Sequence, residues 1–400
     1  MSRSTSGPTS SRQSRLARVY QGTTVALRLP AYRRYFLGQQ LGHIGQWIQI
    51  LAEAWLAFEI SDGSGTAVGV ITAARFLPAF VLGPWIGLFV DRRAKRKALI
   101  SAALLTILCA VTLGVLVAFD WVTLPILAIL AFTAGAAVAV ESTSRFAYVL
   151  EIAGYRNAGN TSALTGASYN FARIVGPIAG GALISLGRIE LCFLVNAVIY
   201  LWVALTLFRM RLIADDAAPQ ARRKGQIREG FHYLAKHRQL RRTILLTGWV
   251  FVFANNFNVI LPMLARDDLH GDASTFSYLM AALGIGALLG VPLAATRPHY
   301  GNRLVALATL AFGSSMVLAS FAPGIVAMLL ALALIGANEL LLLTSSSTLV
   351  QVTSDPAMLG RVQALRGIVT QGATPLGAIL TGFLVDLLDA RAGLAIGGWG

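Results

Sequence analysis

The residues able to do chemistry in this sequence are ionisable and amide side chains set inside long apolar runs. Gln39, His43, Gln46 and Glu53 recur at i, i+4, i+7 and i+14, which lines them along one stripe of an α-helix predicted to face a central cavity. Arg75, in the next apolar run, falls at a depth comparable to Glu53. Glu53 then either pairs with Arg75 or serves a polar pathway, and both readings stay open. Glu141 and Arg145 lie one turn apart on one face, near the end of their run and level with Asp91. These three are predicted to form a latch, either broken and remade or permanently closed. Arg173, about 12 residues into its run, is placed to neutralise an anionic ligand or to pair with Glu141. Asn255 and Asn258 share a predicted helix face, and Glu339 sits in mid-run with no cation in its own helix. An unpaired carboxylate in apolar surroundings favours its neutral form and can carry a proton, which makes Glu339 the best proton site. The plainer reading is a protonated Glu satisfied by a polar side chain of a neighbouring helix.

The elements that position these groups follow from composition. Of 400 residues, 56% are hydrophobic and 13% charged, about half the charge of a soluble domain. Apolar runs long enough to cross a bilayer recur near 33–58, 68–90, 98–118, 122–146, 162–186 and 190–208. A second set lies near 243–262, 275–295, 304–322, 325–348 and 362–386, and a twelfth begins near Gly393 and meets the end of the sequence after eight residues. The expectation is an all-α membrane protein of twelve spans in two six-helix halves, eleven of them complete, in a natural chain longer than this one. Charges inside a bilayer cost roughly 2.5–3.5 kcal/mol each on insertion scales, so each buried ion above needs a partner or a task.

Lys and Arg set the orientation. Seven lie in the tail up to Arg34, five in the loop Arg92, Arg93, Lys95, Arg96 and Lys97, and ten in segment 209–242, whereas the opposite loops hold Arg188, Arg266 and Arg391 beside acids. The amino terminus is therefore expected on the cytoplasmic side. Residues 1–30 read as a disordered basic tail without a signal-peptide core, 31–208 as the first half, 209–242 as a cytoplasmic linker and 243–400 as the second half. In the linker, Ile227, Phe231, Leu234 and Leu240 are spaced for one apolar face against basic residues, which suits an amphipathic helix at the membrane surface or a solvated charge run. The net charge of +15 reflects these loops, not a basic face interleaved with aromatics for nucleic acid. Cys109 and Cys192 lie inside apolar runs and imply no disulfide framework.

Sliding the chain by 201 positions matches Ala163, Leu164, Gly166, Ala172, Gly176, Ile178, Gly181, Leu183 and Leu186 to Ala364, Leu365, Gly367, Ala373, Gly377, Ile379, Gly382, Leu384 and Leu387. Spans 5 and 11 thus look like duplicates, as parallel repeats require. At the inner end of span 2, Gly87, Asp91, Arg92, Arg93, Lys95 and Arg96 resemble the signature loop of the major facilitator superfamily, with Ala94 where a second Gly is usual. Gly87 permits close helix approach, and the cations anchor the loop to the inner leaflet. Gly176, Pro177, Gly180 and Gly181 in span 5 resemble the Gly-Pro motif of exporters in that superfamily. They also read simply as a kinked, tightly packed helix. Pro30 through Gln39, Gly45-Gln46-Trp47, Arg75 through Pro78, Gly83-Pro84, Asn170 through Pro177 and Leu359 through Val362 resemble the transmembrane secretion effector branch, over residues 30–390.

That resemblance implies a monomeric, cofactor-free, multi-pass protein of the bacterial inner membrane that exports a small molecule in exchange for protons. Importer and lipid flippase remain alternatives on the same fold. A membrane enzyme would need a convergent nucleophile, metal or acid pair; of five His only His43 lies in a span, and no His/Cys/acid spacing suits a metal.

Overall fold

The computed structural model describes residues 25–91, 94–210, 226–295, 301–355 and 358–399. The apolar runs form helices α1 (Pro30–Ile60), α2 (Gly65–Val81, continued past Leu82 by Gly83–Asp91), α3 (Lys95–Ala118), α4 (Leu124–Ala153), α5 (Ala158–Ser185) and α6 (Glu190–Arg209). After the linker helix Gln226–Lys236 come α7 (Arg238–Phe253, continued by Phe257–Met263 and a π-helical turn Leu264–Asp268), α8 (Ala273–Ala295), α9 (Asn302–Ser320), α10 (Gly324–Thr353), α11 (Leu359–Leu387) and α12 (Ala390–Trp399). Among the described residues, eight helices are long and apolar enough to span a membrane. The long helices α1 and α5 are not among them, because their polar residues lower the hydropathy of every window.

The packing is itself duplicated. In the first half α1 packs on α5, α2 on α4, and α3 on both α4 and α6; in the second, α7 packs on α11, α8 on α10, and α9 on both α10 and α12. Glycines show how closely. A Cβ at Gly135 of α4 would overlap the Arg75 carbonyl of α2, and one at Gly336 of α10 would overlap the Leu283 carbonyl of α8. Gly176 approaches Trp47 of α1 as Gly377 approaches Val252 of α7. Backbones that close leave no room for a side chain, the packing expected of helices in lipid.

The two halves meet along α2–α11 and α5–α8, the same pair of positions seen from either repeat. Gly65 and Gly69 lie against Gly382 and Ala378, Phe80 against Gly372, and Gly181 against Ser277. Past the break at Leu82, the segment Gly83–Asp91 packs on helices of its own half. Trp55 stacks on Phe276 at 6.0 Å, and Arg266 sits 5.4 Å over Phe58, so aromatic contacts also join α1 to the second half near the Gly65 end.

Several expectations change. Helix α4 runs to Ala153 rather than 146, and α10 to Thr353 rather than 348, since their polar last turns lie past the apolar windows. Helix α7 breaks at Ala254–Asn256, so Asn255 and Asn258 do not share one continuous face; Asn256 donates to the Val252 carbonyl at 2.7 Å, the local backbone competition that makes Asn a poor helix interior. Leu240 belongs to α7, because the linker helix ends before His237, and Phe231 is exposed while Leu234 is buried. That helix is held against α11 and its preceding turn: Glu229 pairs with Arg361 at 2.7 Å, and the Asp355 amide donates to the Tyr233 hydroxyl at 3.1 Å. Most of the expected amino-terminal tail and of the linker lies outside the described residues, but Val25–Arg28 forms a 3-10 turn with Ala26 buried.

Candidate functional site: three buried ion clusters

Among the described residues, each buried acid of the spans has an arginine, and the three pairs differ in which helices they join. Glu53 of α1 accepts from Arg75 of α2 at 2.7 and 2.9 Å. Gln49 donates to Glu53 at 2.6 Å and accepts from Asn196 of α6. All four side chains are buried. Every partner belongs to the first half.

The second cluster surrounds Glu141. One of its oxygens accepts from Gln39 at 2.6 Å and from Arg145 at 3.3 Å, the other from the Tyr200 hydroxyl at 3.0 Å. Arg145 Nη1 also lies 2.7 Å from His43 Nε2. A guanidinium only donates, so His43 Nε2 accepts and Nδ1 carries the proton, which it offers to Ser168 Oγ at 3.0 Å. A cavity of about 230 Å³ reaches this cluster between α4 and α5, with Arg145, Phe146, Thr161 and Thr165 among its lining residues.

The third pair crosses the molecule. Arg173 of α5 donates to both oxygens of Glu339 on α10, at 3.2 and 2.8 Å. Its guanidinium lies 5.9 Å from the Trp47 ring centre, and Trp47 leans on Tyr169 at 5.6 Å. The two charges are held in partly buried surroundings, where removing one partner leaves the other uncompensated.

Measured against the sequence reading, Glu339 is corrected from an unpaired carboxylate to a bidentate partner of Arg173. The cation comes from the other half, 166 positions earlier, where no local pattern points to it. Arg173 accordingly does not pair with Glu141. Gln39, His43 and Glu53 are buried against α2, α4, α5 and α6, and Gln46 is half-buried outside both networks. Glu141 is not at the helix boundary: Lys95, at the start of α3, pairs with Glu151 at 3.6 Å, and Glu141 lies ten residues earlier, about 15 Å along the axis. Gly87 is buried and Asp91 closes its helix; the Asp91 side chain and Arg92 lie outside the described residues. Gly176 and Gly180 pack on α1, Gly181 on α8, and Pro177 is buried between them.

Sequence reasoning missed the neutral members Gln49, Ser168, Asn196 and Tyr200, although Asn196 and Tyr200 lie one turn apart and mark a polar face. It also missed Asp386. From the end of α11, this carboxylate accepts from the backbone amides of Gly65 and Thr66 at 2.5 and 2.8 Å and from the Ser64 hydroxyl at 3.1 Å. It caps the α2 amino terminus from the opposite half, where an anion is favoured. Asp386→Asn should weaken the seam by about 1–2 kcal/mol. With Cys109 and Cys192 replaced by Ser, maleimide labelling of a cysteine at Ser277, buried in the companion α5–α8 contact between the halves, should rise about 5–30-fold. Unchanged labelling would show that Asp386 does not hold this end shut.

Residues 21–400 match a family model described as transmembrane secretion effector. The chain is 25% identical over 366 residues to macrolide efflux protein A of Streptococcus pyogenes, covering 87% of this chain and 89% of that one. It is 22% identical over 362 residues to the staphyloferrin A transporter of Staphylococcus aureus, covering 88% and 89%. Among solved structures, a D-xylose-proton symporter superposes with a TM-score of 0.73 at 13% identity, over 92% of this chain and 96% of that one. A bacterial homologue of the lysosomal transporter Spinster gives 0.72 at 15%, over 92% and 83%. With duplicated halves, an intramembrane ion pair between them and a family match over nearly its whole length, the chain belongs to the transmembrane secretion effector family of major facilitator transporters.

Proposed function

We propose that this transporter exports a small organic molecule in exchange for protons, by alternating access between its two halves. The observation that carries the reading is the Arg173–Glu339 pair. Of the three buried acid–arginine pairs described, it alone joins α5 to α10 across the halves. Rocking one half against the other separates these two charges and leaves the Glu53 and Glu141 networks whole. A proton on Glu339 removes the attraction, so protonation and switching are linked at one residue. Glu53 is held by Arg75 and two amides within one half and serves structure; the Glu141–Arg145–His43 cluster lies beside the cavity and contributes to the substrate path.

The positive-inside bias of the loops supports a cytoplasmic amino terminus and a cytoplasmic Arg96 end. The closed seam at Gly65, Gly382 and Asp386 is then the outer gate. The macrolide and staphyloferrin relatives support export of a drug, siderophore or metabolite.

The test uses proteoliposomes of the purified chain with labelled candidate compounds. Accumulation should follow an imposed pH gradient and stop when it is collapsed. Reporters fused at Gly225 and Asp62 should face the cytoplasm and the exterior respectively. Transport indifferent to the gradient, or both reporters on one side, overturns the reading.

A further inference from the structure

Arg75, Arg145, Arg173 and Arg366 all lie within membrane-spanning helices, where a cation is costly unless paired. Three of them have glutamates: Glu53, Glu141 and Glu339. Arg366, seven residues into α11 and about 10 Å from its start, has no carboxylate among the described residues. Its one described bond is a long 3.4 Å contact from Nη2 to the Leu343 carbonyl of α10. Its Nε is buried without an acceptor.

Leu343 follows Glu339 by four residues on α10, so the two positions lie on one face about 6 Å apart along the axis. Arg173 reaches that face from α5 of the first half, and Arg366 reaches it one turn further along from α11 of the second. Arg173 Nε is likewise buried with no acceptor, as is Trp47 Nε1 beside it. Buried donors in folded proteins nearly always find partners. Two cations thus reach α10 one turn apart, and three N–H groups on them and on the Trp47 indole lack an acceptor, with Glu339 the one carboxylate bonded among them.

We infer that Arg366 and Arg173 together form the anion subsite of the transported molecule, which carries a carboxylate or comparable oxyanion lodged against α10 between them. Tyr169, one turn before Arg173 and partly exposed, offers a ring for an aromatic body. The inference rests on the transport reading above and adds the substrate class. An anion there competes with Glu339 for Arg173 and draws α11 toward α5, so the substrate and the proton on Glu339 act on the same cation. A planar guanidinium suits a carboxylate bidentately, which an ammonium does not.

The experiment measures binding to the full chain in phosphatidylcholine nanodiscs, using salicylate and phthalate as anions and tetraphenylphosphonium as a cation. The wild type should bind the anions. Arg366→Gln should weaken them at least tenfold, and Arg366→Lys should fall between. Tetraphenylphosphonium affinity and the elution profile should stay unchanged and report an intact fold. Absence of anion binding to the wild type, or an Arg366→Gln affinity within twofold of it, overturns the inference. So does a result in which added phosphatidylglycerol stabilises the wild type but not Arg366→Gln while the free anions remain silent, since the site would then hold a lipid headgroup. Gradient-driven transport read separately on the same variants distinguishes the two claims. Transport without anion preference sinks the subsite alone, and no transport at all sinks the reading beneath it.

Discussion

Glu339→Gln is expected to abolish gradient-driven accumulation while leaving substrate binding and counterflow in place. The substitution removes one charge of a bidentate pair that spans the halves at 2.8 and 3.2 Å. Breaking such a pair costs about 3–5 kcal/mol, close to the roughly 5.5 kcal/mol that turns a 1:99 population into 99:1. The amide also mimics a carboxyl that never releases its proton. Active accumulation should fall at least ~100-fold, because both the driving ion and the conformational bias act through this residue. Counterflow needs binding and isomerisation but no net proton movement, so it should persist within about tenfold. Concentrative transport at the wild-type rate by Glu339→Gln would remove Glu339 from the coupling step.

The second large effect is on stability. Glu53→Gln leaves Arg75 buried opposite a neutral amide, in a network that also contains Gln49 and Asn196. A cost of about 3–5 kcal/mol is expected, enough to reduce the monodisperse fraction recovered after purification and to lower its thermal midpoint. Replacing both charges, Glu53→Met with Arg75→Met, should recover much of the loss, because no uncompensated ion remains. Transport by the double variant should keep its pH dependence, since neither residue bridges the halves. A double variant that folds well and transports without responding to a gradient would move the coupling role to Glu53.

Much of the architecture was legible because lipid imposes long apolar runs and Gly spacing reports close helix approach. The 201-residue offset found in spans 5 and 11 reappears in space, where Gly176 and Gly377 serve α1 and α7, and Gly181 and Gly382 serve the two halves of the seam. Local pairs were legible for the same reason: Glu53 and Arg75 lie on adjacent helices joined by a short turn. Partners from distant helices were not. Nothing near Glu339 in sequence announces Arg173, and nothing near Ser64 announces Asp386. Gln49, Asn196 and Tyr200 were passed over beside the charged groups, although they complete both first-half networks. The break in α7 was hidden in an apolar window that treats Asn255 and Asn256 as two mild penalties rather than as a backbone competitor.

The central claim, that the halves move against each other under control of the Arg173–Glu339 pair, is tested most directly by a distance. Spin labels at Phe146 on α4 and Val352 on α10, both exposed and each near the last turns of its helix, report the separation of the halves at that end. In nanodiscs, with both native cysteines replaced, the wild type should show two populations whose ratio shifts with pH between 5 and 8, and Glu339→Gln should hold one ratio throughout. A single unchanging distance in the wild type, or a Glu339→Gln variant that titrates as the wild type does, would contradict the account.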